Sequence, residues 1–158
     1  MDTDVSVRGG LAGNDILFFL ALLASALAFG AALAHALELP NKIGLSRDDY
    51  FIVQKAYAGW DRLAYLLLVQ LLSLVGLAVL SWHRPQVLWL VVVTLLCLFA
   101  AQAVFWIYTY PANVATQNWT TIPDNWQMLR RQWEYSHLAG ALFQLVGLSA
   151  LMIAALRR

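Results

Sequence analysis

The sequence predicts an all-α integral membrane protein, a four-helix bundle running up-down-up-down, and three observations carry that expectation. Hydrophobic residues make up 61% of the 158-residue chain and charged residues 12%, about half the roughly 25% charge of an ordinary soluble domain. A soluble fold of this size cannot hide that much apolar surface. Four apolar runs, at 16–37, 63–82, 87–108 and 138–156, each come near the ~20 residues that cross a bilayer. The connections alternate long and short, so both long ones, 38–62 and 109–137, fall on one face of the bundle.

The first helix is expected over about 14–38, ended by Pro40. Its Ala32-Leu33-Ala34 resembles a cleavage site after a signal core. The run is too long for such a core, however, and the residues before it carry Arg8 against Asp2, Asp4 and Asp15, so it reads as a retained helix. Ser46-Arg47-Asp48-Asp49 reads as an N-cap with acidic first-turn residues, opening a short helix that can continue through Tyr57 and Trp60 into the second span, 58–82. The link to the third span, 87–110, is only His83-Arg84-Pro85-Gln86. Tyr110-Pro111 and Thr121-Ile-Pro123-Asp124 read as a stop and a restart, with the last helix running from 123 to 156. No repeat or low-complexity tract breaks this single domain, 1–158.

Composition excludes several functions. Cys97 is the only cysteine and lies mid-span, which rules out an internal disulfide, a CxxC pair or a thiolate cluster and leaves a packing role. Net charge is +1 with the basic residues scattered, which gives no nucleic-acid footprint. The expected partners are the bilayer and a small hydrophobic substrate, and the composition is compatible with a homo-oligomer. Sidedness stays open. The face of the long connections holds Lys42, Arg47, Lys55, Arg62, Arg130 and Arg131, against Arg8, Arg84, Arg157 and Arg158 on the other, a small excess for a rule that weighs short loops.

The chemistry gathers on the face of the long connections. His35-Ala-Leu-Glu38 ends the first helix and Glu134-Tyr-Ser-His137 lies in the last. In antiparallel helices the reversed order sets the histidines at one depth and the glutamates about 4.5 Å further out. Histidine nitrogen and carboxylate oxygen are the donors of non-haem metal centres, so His35, Glu38, Glu134 and His137 are candidate ligands for one divalent metal, iron first, rather than a di-metal pair. Asp61 either adds an oxygen or pairs with Arg62 or a loop lysine, the ion pair being preferred. Each His/Glu pair also has a plainer reading as a local hydrogen bond. Glu38 faces the negative end of its helix dipole, an unfavourable place without a cation nearby.

Further candidates surround this set. Gln54, Tyr57 and Asp61 share a helical face, and Trp126, Arg130, Trp133 and His137 form a stripe on the last helix. Arg130 reads first as an ion-pair partner for Glu134 and otherwise as a clamp for an anionic substrate or enolate. Tyr57 and Asn113 are candidate substrate contacts. Most of the seven tryptophans fit an interfacial belt, while one or two near the polar face could form a slot for a flat substrate. Ala24, Ala28, Ala32, Gly140 and Gly147 are expected to permit close helix packing.

Tyr110-Pro-Ala-Asn113, Trp119, Asp124-Asn-Trp126, Arg130 and Trp133-Glu-Tyr-Ser-His137 resemble the C-terminal signature of the anthrone-oxygenase-like family of small four-span membrane proteins. The resemblance covers most of the chain, though nearly all of it is carried by the second half. It implies an enzyme that oxygenates fused-ring substrates, with Asn113, Trp133 and His137 as matching positions; His35, Glu38 and Glu134 are less general to that family. The expected function is therefore a membrane-embedded, metal-dependent oxygenase or related oxidoreductase acting on a lipophilic aromatic or quinone-like molecule. The alternative is a non-catalytic membrane protein, a small transporter or assembly factor, whose His/Glu cluster is a structural polar network. A haem held by His35 and His137 would need the glutamates turned away, there is no flavin signature, and an ion path lacks a continuous polar line beyond Gln70, Ser73 and Gln102.

Overall fold

The computed structural model describes the backbone of residues 4–158 and the side chains from residue 13 onward, so Asp2, Asp4 and Arg8 lie outside the described side chains. Leucine- and alanine-rich runs without strand signals give long helices. These are α1 (Asp4–Lys42), α2 (Arg47–Gln54), α3 (Leu63–Leu80), α4 (Pro85–Val104), α5 (Tyr110–Ala115) and α6 (Trp126–Leu156). Four stretches are long and apolar enough to span a bilayer, and 39% or less of each one's most apolar stretch is buried inside the protein. Leu72, Leu96, Leu142 and Phe19 point outward. The outer surface is thus apolar and the chain is a multi-pass membrane protein, in which helix association depends on packing and interhelical hydrogen bonds rather than on water exclusion.

The four spans form a ring in which α1 packs on α3 and α6, and α4 packs on α6 and α3. The Ser81–Arg84 end holds the tight apolar core of Phe18, Ala21, Leu74, Leu77, Val91 and Leu151. Gly147 explains how α4 and α6 approach there. A Cβ on it would lie 3.2 Å from the Cys97 Cβ, and its carbonyl accepts a 3.0 Å hydrogen bond from Thr94 Oγ1. The α3 and α4 helices share the smallest face of the four neighbouring pairs.

Four expected boundaries move. The last helix begins at Trp126 rather than 123, with Asn125 at its N-cap. The first helix does not stop at Pro40 but continues to Lys42, because only the bond from residue 40 to the carbonyl of Ala36 is lost and the next turn closes with Ile43 N–H on Leu39 O. The α2 helix, capped by Ser46 Oγ on the Asp49 N–H as expected, does not run into α3. Gly59 interrupts it at φ +85°, a conformation that glycine adopts without strain. Pro111 does not end the third span, which stays helical to Ala115. Residues Phe105–Thr109 form a π-helical turn, with Tyr110 N–H bonded to Phe105 O, and the wider turn accommodates the proline.

Gly147→Leu is expected to lower stability in detergent by about 1–3 kcal/mol, because the added atoms have no room against Cys97 and Thr94. Thermal unfolding followed by circular dichroism checks this, and an unchanged midpoint would mean that α4 and α6 do not pack in this register.

Candidate functional site: a histidine pair at the head of a membrane cavity

Extending α1 by one turn builds the site. His35, Glu38 and Lys42 are spaced i, i+3, i+7 and lie on one face, opposite Arg130, Trp133, Glu134 and His137 at i, i+3, i+4, i+7 of antiparallel α6. The two imidazole rings meet with centroids 4.3 Å apart, so the expected common depth of the histidines is found. The carboxylates behave differently. Side chains lean toward the N-terminus of their own helix, so Lys42 reaches inward from the end of α1 while Glu134 reaches outward from α6. They meet as a 2.9 Å ion pair with side chains 4% and 0% exposed.

Lys42 is the centre of a network that the sequence reading missed. Its ammonium donates to Tyr57 Oη at 2.9 Å and stands 3.9 Å from the Glu38 carboxylate, which accepts from Tyr57 Oη. On the other side Tyr50 Oη donates to Glu134 Oε1 at 2.9 Å and accepts from Gln54 Nε2. Burial, and then the Glu134 charge, push the Tyr50 hydroxyl above the usual tyrosine range. Burial, and then its bond to Glu38, do the same for Tyr57. Both phenols therefore stay protonated donors near neutral pH.

This network decides what the expected metal ligands do. An ammonium stands between Glu38 and Glu134 where a divalent ion would stand, and among the described residues no three His, Cys, Asp or Glu side chains gather as a metal-holding group. The four residues as placed do not fit a four-ligand centre. The histidines retain free capacity: His35 Nδ1 is buried without a partner, and His137 Nδ1 lies 2.8 Å from Trp133 O, which directs its Nε2 away from the backbone.

The other candidates separate. The expected Arg130–Glu134 ion pair is not formed, because Lys42 occupies the carboxylate; Arg130 donates to Leu45 O at 2.8 Å and stacks its guanidinium on Trp126, tying the first connection to α6. The preferred ion pair of Asp61 is also not formed among the described residues, since its carboxylate has no basic partner within bridging distance; Asp61 is exposed. Asn113 accepts from Trp119 Nε1 at 3.1 Å and from Trp133 Nε1 at 2.9 Å. One amide oxygen thereby fixes two buried indoles. Holding Trp119 in place requires Gln117, Asn118 and Trp119 at φ of 50°, 56° and 64°, a left-handed run costing about 1–2 kcal/mol per residue. Thr116 offsets this through Oγ1, which accepts from Trp119 N–H.

A cavity of about 810 Å³ runs from this centre into the membrane-spanning part, within the size range of drug-sized ligand sites. His35, Tyr57, Trp60, Trp133 and His137 line its head, and Leu67, Ala101, Gln102, Phe105 and Trp106 line it between α3 and α4. The π turn contributes Phe105, Trp106 and Thr109. Small residues form the floor: Ala28, Ala31, Ala32 and Gly140. Gly140 was expected at a helix contact, yet a Cβ on it would meet nothing within 4 Å.

Comparison with known proteins adds no relative, since no family model, no curated protein and no solved structure matches the chain.

Replacing Lys42 by Met is expected to cost about 3–5 kcal/mol, because Glu134 is left buried and charged. The double variant Lys42→Met/Glu134→Gln removes both charges and should recover most of that loss. Urea titration of the three proteins checks it, and equal stability of the single and double variants would dissolve the pair as a structural element.

Proposed function

We propose that this protein is a membrane-embedded oxidoreductase that draws a flat lipophilic aromatic or quinone-like molecule from the bilayer into the α3/α4 cavity and presents its reacting edge to His35 and His137. The observation that carries the reading is the cavity itself. Its wall is mostly apolar and aromatic, and its head holds two imidazoles, His35 with Nδ1 unpartnered and His137 with Nδ1 engaged by Trp133 O. A substrate hydroxyl or acidic carbon brought there meets a neutral imidazole placed to accept its proton. The step that the resulting anion prepares is oxidation by dioxygen: a dihydroxyarene gives up two electrons and two protons to form the quinone and hydrogen peroxide, and an acidic carbon takes one oxygen atom to form the ketone with release of water. The resemblance to anthrone oxygenases agrees with this substrate shape.

Gly140 provides the sharpest test. Gly140→Leu places a side chain in open space within the cavity, so it should leave unfolding unchanged while weakening binding of naphthoquinone-sized aromatics at least about tenfold by filling their place. Binding in nanodiscs beside thermal unfolding checks both halves. Unaltered affinity would remove the cavity from function.

The metal-dependent form of the reading, with iron or another divalent ion on His35, Glu38, Glu134 and His137, requires Lys42 to leave Glu134. Metal content of detergent-purified protein, with a Glu38→Ala/His137→Ala variant as control, is expected to show no stoichiometric ion. One ion per chain that disappears in the variant would establish the four-residue centre instead. The non-catalytic reading is favoured by the same ion-pair network and predicts that no aromatic ligand binds.

A further inference from the structure

The cavity has a second polar end, deep in the span, that the proposed chemistry does not use. Gln144 of α6 and Gln102 of α4 both line it. Gln144 is 7% exposed, and its Oε1 accepts from Gln70 Nε2 at 3.3 Å. Gln70 also donates to Ser25 Oγ at 3.0 Å. That tether holds the carbonyl side of the Gln144 amide and leaves its NH₂ without a protein acceptor among the described residues. Gln102 makes no protein hydrogen bond among them, and Gln70 Oε1 is buried without a partner. Amides in this state inside a bilayer are costly, about 1–3 kcal/mol for each group left unpaired, and intramembrane polar groups mark ligand paths more often than inert structure.

The spacing of the two ends is informative. His137 and Gln144 are separated by seven residues of α6, which puts them on one face about 10.5 Å apart along the axis. Both side chains lean the same way along the helix, so the offset carries over to their polar atoms. Gly140 lies between them with open space above it. A hydrogen bond of about 2.9 Å at each end leaves roughly 5 Å for the ligand. Two oxygens on opposite corners of one six-membered ring span that distance.

We infer that Gln144, assisted by Gln102, is a specificity-determining anchor for a second oxygen on the ligand, so that the site selects flat molecules carrying oxygens at both ends of one ring over those with a single oxygen. This rests on the proposed function, whose base is the histidine end. The α1 and α3 groups Ser25 and Gln70 act through Gln144 as positioning residues.

His137 has its Nδ1–H spent on Trp133 O and can only accept at Nε2, so the probes carry hydroxyls, which donate there and accept from the Gln144 NH₂. The test compares 1,4-dihydroxynaphthalene, 1-naphthol and naphthalene binding to the full chain in nanodiscs under nitrogen, with each affinity corrected for partition into the lipid. Wild type should prefer the diol over the mono-ol by about five- to tenfold, the worth of one hydrogen bond in an apolar site. Gln144→Leu should erase that preference and leave 1-naphthol within about twofold of wild type. Gln102→Leu, which has no protein hydrogen bond to lose, should reduce the same preference and serves if Gln144→Leu does not fold. Equal binding of diol and mono-ol by wild type would overturn the inference and leave the proposed function standing, as would a Gln144→Leu variant that weakens all three probes alike, the mark of a purely structural amide. Failure of all three probes to bind would overturn both.

Discussion

The ion pair between Lys42 and Glu134 sets the arrangement of everything around it. Two opposite charges are held out of water at a membrane face, and each would be prohibitively placed alone. Because the pair joins the last turn of α1 to the third turn of α6, it fixes the register of these two helices, and with it the 4.3 Å approach of His35 to His137. It also draws in the first connection, since Tyr50 and Tyr57 reach the same two charged groups. The connection is thereby folded over the bundle as a cap rather than left as a loop. The pair of imidazoles lies beneath that cap, at the head of the cavity.

The bundle divides its work along its length. At the hairpin end, large apolar side chains and Gly147 close the space between helices, while at the site end alanines, Gly140 and the π turn keep it open. Both ends use small residues, with opposite results. Gly147 faces Cys97 and Thr94 and brings helices together; Gly140 faces the cavity and keeps them from filling it. The sparse packing of α3 on α4, despite the short link between them, follows from the same division.

Much of this was legible in the residues. Four apolar runs, two long polar connections and reversed His/Glu spacing locate the spans, the face on which both long connections fall and the histidine pair. Lys42 was not found, and the cause is specific. Pro40 was read as a stop, which placed Lys42 in a loop and hid its i,i+4 relation to Glu38, although the unfavourable dipole position of Glu38 already called for a cation. A proline costs one backbone bond in the last turn of a helix, where tertiary contacts decide whether the turn continues. Pro111 misled in the same way, since a π turn absorbs it. The left-handed run at 117–119 has only a weak signal, because glycine or asparagine usually marks such a segment and of the three residues only Asn118 does so.

The way Asn113 is used shows how far the site depends on positions that carry no chemistry. Its amide oxygen accepts from two indoles, one on the strained turn and one on α6, and Trp133 in turn packs against both histidine rings, 3.9 Å from His137 and 5.1 Å from His35 between centroids. Backbone strain at 117–119 is tolerable only because Trp119 is seated in the aromatic cluster of Tyr50, Phe51 and Trp133. That cluster holds the imidazoles at the cavity head while every polar group in it is already engaged. Among the described residues, buried groups without a partner at that end are His35 Nδ1, Gln54 Oε1, Arg130 Nε and Glu134 Oε2. Of the residues that carry them only His35 and Gln54 line the cavity, so the geometry of the cavity head is kept in part by side chains, Arg130 and Glu134, that do not themselves face it.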